Sequence, residues 1–95
     1  MIMDTSVLAR LFKAACVGGE SDSMAMVKYA LDNGQDKHLR NKSCFLYGRV
    51  LESKGIKLSA ADLRIRFDAL ALAVGYSKPT VGQAKSDEEL LASFN

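Results

Sequence analysis

A chain of 95 residues, 48% hydrophobic and 25% charged, has the length and composition of one globular domain spanning 1–95, with no room for a second. Its net charge of +2 falls short of the basicity of most nucleic-acid-binding domains, and a single proline among recurrent apolar residues excludes a disordered chain. No stretch approaches the roughly 18 apolar residues of a membrane span, and Asp4, Arg10 and Lys13 interrupt any leader-like region. A cytoplasmic (intracellular) protein without membrane association is therefore expected.

Glycines and small polar residues punctuate the sequence at helix-length intervals. That predicts an all-α fold, a compact bundle of five to six short helices. The first helix is expected from residue 4 or 5 to 17, capped by Asp4 or Thr5 and stopped by Gly18-Gly19. Val7, Leu8, Leu11, Phe12, Ala14 and Ala15 share its apolar face. The second is expected over about 22–32, capped by Ser21 or Asp22, with Met24, Val27, Ala30 and Leu31 inward and Asn33-Gly34 as its exit. The third is expected over about 37–53, with Leu39, Leu46, Tyr47, Val50 and Leu51 as its core face and Cys44 at the edge.

The fourth is expected over about 60–74 after the N-cap Ser59. Leu63, Phe67, Leu70 and Val74 line one side, and Ile65 and Leu72 the other. A helix apolar on two sides is expected at the centre of a fold. Residues 63–68 also alternate as a half-buried strand would, but the alanine- and leucine-rich run after them favours helix. Two short helices are expected in the remainder: one capped by Ser77 with Pro79 in its first turn, the other opened by a Ser86/Glu89 capping box.

No constellation for catalysis stands out. His38 is the only histidine, Cys16 and Cys44 make no metal-ligand pattern, and no phosphate loop or dinucleotide fingerprint occurs. The expectation is a non-enzymatic protein with no metal or cofactor, its two cysteines reduced.

The charge is uneven. Lys37, Arg40, Lys42, Arg49, Lys54 and Lys57 face only Asp36 and Glu52 in the middle third, while both flanking segments are slightly acidic. Within that third, His38, Lys42, Phe45 and Arg49 are spaced four, three and four residues apart, which aligns them along one line of the third helix. An aromatic among cations, off the core face, is a hot-spot arrangement for a protein partner with an acidic surface. The leading expectation is a small regulatory or adaptor protein that works through this face.

A second candidate lies further along the chain. Leu70-Ala71, Val74-Gly75 and Ser77-Lys78-Pro79-Thr80-Val81 succeed one another as two short helices and a tight turn would require: Ala71 is small at the crossing, Gly75 permits a left-handed turn, and Ser77 caps the second helix of the pair. With these residues the segment 67–85 resembles the helix-turn-helix of bacterial and phage DNA-binding regulators. The resemblance implies, as the alternative function, a transcriptional regulator whose Lys78, Thr80, Gln83 and Lys85 face duplex DNA. Pairing into a homodimer suits either function.

Overall fold

The structure, a computed structural model, describes residues 4–34 and 38–76. They form helices α1 (Thr5–Val17), α2 (Glu20–Asn33), α3 (Leu39–Ser53) and α4 (Ala60–Ala73), with no strand among the described residues. The protein is all-α, but these are four helices rather than five to six. The two short helices expected after residue 76 fall outside the described residues. None of the four helices is long and apolar enough to cross a membrane.

Side-chain chemistry sets two of the helix starts. Asp4 Oδ1 accepts the Ser6 backbone N–H at 2.9 Å and the Ser6 hydroxyl at 2.7 Å, and Ser59 Oγ accepts the Asp62 N–H at 3.1 Å. α2 begins earlier than the Ser21 or Asp22 caps would place it. Its N-cap is Gly19, and Glu20 and Asp22 fall in its first turn, where the helix dipole favours carboxylates. Glu20 Oε1 also accepts the Tyr47 hydroxyl of α3 at 3.2 Å, a contact between helices that fixes the first turn of α2.

α3 and α4 end alike. The Ile56 N–H donates to Leu51 O, and the Tyr76 N–H to Ala71 O, each at 2.9 Å. Gly55 (φ 81°) and Gly75 (φ 100°) supply the left-handed residue that this closing bond requires. Ile56 and Tyr76 then fold back against the core.

α1 and α2 form a hairpin across Gly18-Gly19, and the Asp4 N–H donates to the Tyr29 hydroxyl at 3.2 Å where its ends meet. α2 and α3 each pack on all three other helices, whereas α4 rests mainly on those two. The fourth helix is therefore not the centre of the described fold. Its Phe67, Leu70 and Ala71 are buried, but Ile65 and Leu72 on the other side stay 69% and 63% exposed. Residues 63–68 are helical, and that periodicity separates buried Arg64 from exposed Arg66, which a strand would have placed on one face.

The core face of α3 is rotated from the expected one. Ser43, Cys44, Tyr47, Val50 and Leu51 are buried, while Leu39 and Leu46 are only half-buried. On α2 the buried methionine is Met26 rather than Met24. Cys44 thus sits inside the core. Both cysteines are free thiols, and burial pushes the Cys44 thiol up to about 12.

Two consequences are measurable. Cys44 is 1% exposed and its thiol is held protonated, so at pH 8 a thiol reagent should reach it only through opening of the fold, at a rate that falls as the protein is stabilised. Stability should also fall as the solution is made alkaline. Below the unfolded thiol's pKa of about 8.5 both states hold the proton; between there and the folded value only the unfolded state releases it, which favours unfolding. Cys44→Ala should flatten that part of a stability-versus-pH curve measured by urea denaturation. An unchanged slope would show that Cys44 does not carry it.

Candidate functional site

Residues from three helices enclose an apolar groove of about 510 Å³. Leu8 and Phe12 of α1 form one wall, and Leu46, Phe45 and Leu39 of α3 the other, with Ala30 of α2 between them. Lys42 and Arg49, one turn to either side of Phe45, complete the α3 wall. The α1 and α3 residues can serve both core and groove because Leu8, Phe12, Leu39 and Leu46 are only half-buried.

Phe45 is 40% exposed at this edge, against 0% for Phe67 in the core. Lys42 and Arg49 flank it on the same wall. Three of the four stripe residues therefore line one concavity. The fourth, His38, is exposed at the N-cap position of α3 and does not line it. His38, Lys42 and Phe45 are each already engaged within the chain, so a ligand enters here by exchange rather than by meeting bare side chains. Ser43 also lines the groove. Its hydroxyl is buried and has no hydrogen-bond partner among the described residues, which is costly unless a ligand or water supplies one.

The middle-third positive excess is not all surface charge. Arg40 turns to α4, where its Nη2 lies 3.1 Å from Asp68 Oδ1 and its guanidinium 5.6 Å from the centroid of the Phe67 ring. Arg64 Nε lies 3.5 Å from the same carboxylate oxygen, and Arg64 Nη1 donates to Asn41 Oδ1 at 3.3 Å. This seam joins α3 to α4. Among the described residues of that third, Lys42 and Arg49 are the cations that line the groove.

The sequence signals the α3 stripe but not the opposite wall. Leu8 and Phe12 read as ordinary core positions, and only the helix–helix juxtaposition turns them into half of a groove. Lys78, Thr80, Gln83 and Lys85, the DNA-facing set implied by the helix-turn-helix resemblance, lie outside the described residues. The left-handed turn at Gly75 is in place, but Gly55 ends α3 in the same way, so that turn is a general helix stop here. Among the described residues no three of histidine, cysteine, aspartate and glutamate converge as a metal site would need.

Comparison of the chain with protein-family models, with curated proteins and with solved structures gives no match.

Proposed function

We propose that the protein is a non-enzymatic adaptor or regulatory module that docks an acidic, amphipathic helix of a partner protein into the groove between α1 and α3. The observation that carries this reading is Phe45, 40% exposed and flanked by Lys42 and Arg49 on the wall of an apolar cleft. An apolar cleft edged by cations suits a helix with aliphatic anchors on one side and carboxylates beside them. The anchors would pack between Phe12, Phe45 and Leu46, and the carboxylates would pair with Lys42 and Arg49, giving orientation and association rate more than affinity.

The test uses a synthetic peptide with leucines and a phenylalanine at helical spacing on one face and glutamates on the other. The full chain should bind it with an affinity that weakens with salt. The double change Phe45→Ala with Arg49→Glu should lower that affinity at least about tenfold, the scale expected from losing one aromatic anchor, while circular dichroism stays unchanged. Peptide binding equal to that of the unsubstituted chain would refute the reading, as would unfolding of the double variant with Phe45→Ala alone also unfolded.

A further inference from the structure

Residues 86–95, outside those described, read Ser86-Asp87-Glu88-Glu89-Leu90-Leu91-Ala92-Ser93-Phe94-Asn95. Three consecutive carboxylates precede Leu90, Leu91 and Phe94. In a helix opened by the Ser86/Glu89 capping box, Leu90 and Phe94 are one turn apart with Leu91 beside them, and the acidic run lies at the N-terminal end. That is the chemistry the groove selects: aliphatic and aromatic anchors for Leu8, Phe12, Phe45 and Leu46, and carboxylates for Lys42 and Arg49.

The Tyr76 hydroxyl donates to Asp32 near the C-terminal end of α2, two positions from groove-lining Ala30 and so on the opposite side of that helix, which the connection has to round. The nine residues 77–85 then intervene. At roughly 3.3 Å per residue they reach about 30 Å, several times the ~10 Å diameter of a helix. The connection is therefore long enough to deliver residues 86–95 to the groove of the same molecule.

We propose that segment 86–95 is an intramolecular occupant of the α1/α3 groove and competes there with the external partner. The inference rests on the groove being a docking site for an acidic helix and adds its regulation. A tethered segment acts at an effective concentration on the order of millimolar, so even an intrinsic affinity of ~0.1 mM would keep the groove about nine-tenths filled and weaken an external ligand about tenfold. Phosphorylation of Ser86 or Ser93, or a change in salt, would shift the balance through the same charges.

The chain has no tryptophan, so Phe94→Trp in the full-length protein gives a single reporter. Its emission should be blue-shifted and shielded from acrylamide. Lys42→Glu with Arg49→Glu should move it to the emission of an exposed indole, and adding Asp87→Lys, Glu88→Lys and Glu89→Lys in that background should restore the shielded state. In parallel, Leu90→Asp with Leu91→Asp should raise affinity for the synthetic acidic peptide about tenfold over the unsubstituted chain. An exposed indole throughout, with peptide affinity unmoved by the Leu90/Leu91 change, overturns the inference and leaves the groove as a partner site. A shielded indole indifferent to both charge reversals also overturns it, because the segment then packs elsewhere. Failure of every variant to bind the peptide removes the docking reading itself.

Discussion

Phe67→Ala should lower the unfolding free energy by about 3–5 kcal/mol, a large fraction of the roughly 5–15 kcal/mol that holds a domain together. Phe67 is fully buried where α4 meets α2 and α3. Its ring centroid lies 6.4 Å from that of Tyr47, with the planes tilted by 49°, and the Arg40 guanidinium lies over its face. Truncation removes the aromatic pair and the cation contact together with the transfer energy, and leaves a cavity lined by Tyr47 and Arg40. Neighbours collapse poorly into such a cavity, because Tyr47 is itself held by Glu20 and by Arg66, whose Nε donates to the Tyr47 hydroxyl at 3.2 Å. Urea denaturation should show the loss as a lowered midpoint with an unchanged slope. A loss below ~1.5 kcal/mol would mean that α4 is docked by something other than Phe67.

The second large effect is expected at Asp68. Its carboxylate is shared by Arg40 and Arg64, whose side chains are 16% and 8% exposed. Breaking a buried charge pair by removing one partner costs about 3–5 kcal/mol, since the remaining charge loses its compensation. Asp68 is itself 18% exposed, so water screens part of that, and Asp68→Ala should cost nearer ~2–3 kcal/mol. Arg40 is the more affected of the two arginines. Its buried Nε already lacks a hydrogen-bond partner among the described residues, whereas Arg64 keeps Asn41. Asp68→Asn retains an acceptor and should recover about half of the loss. If Asp68→Ala were neutral in equilibrium denaturation, the seam would contribute specificity of docking and not stability.

These two residues show where sequence reasoning reaches and where it stops. Phe67 is legible as core because it lies on the Leu63–Leu70 stripe of a well-capped helix, and caps such as Asp4 and Ser59 act through their own neighbours. The i,i+4 relation of Arg64 and Asp68 is equally local. Arg40 is 28 residues from Asp68, and no pattern along the chain announces that pairing. The same limit explains the two misplacements on α3 and α4. Apolar residues occupy two sides of each helix, and hydropathy alone does not say which side finds a neighbour. On α4 the second side, Ile65 and Leu72, stays open; on α3 Cys44 is taken into the core and Leu39 and Leu46 are left to line the groove.

For the candidate site the division is similar. Spacing places Lys42, Phe45 and Arg49 on one line, because helix periodicity is a local property. It assigns His38 to the same line, yet that residue is drawn off the groove by its place at the start of α3. It also counts Arg40 toward a basic surface, whereas burial against Phe67 and Asp68 removes it from one.

The most direct measurement is a map of amide chemical shifts during titration of the full chain with the acidic amphipathic peptide. Docking between α1 and α3 predicts changes concentrated at Leu8, Phe12, Leu39, Lys42, Phe45, Leu46 and Arg49, with Ile65 and Leu72 unmoved. Changes concentrated instead on the exposed Ile65–Leu72 face of α4, or none anywhere at saturating peptide, would contradict it.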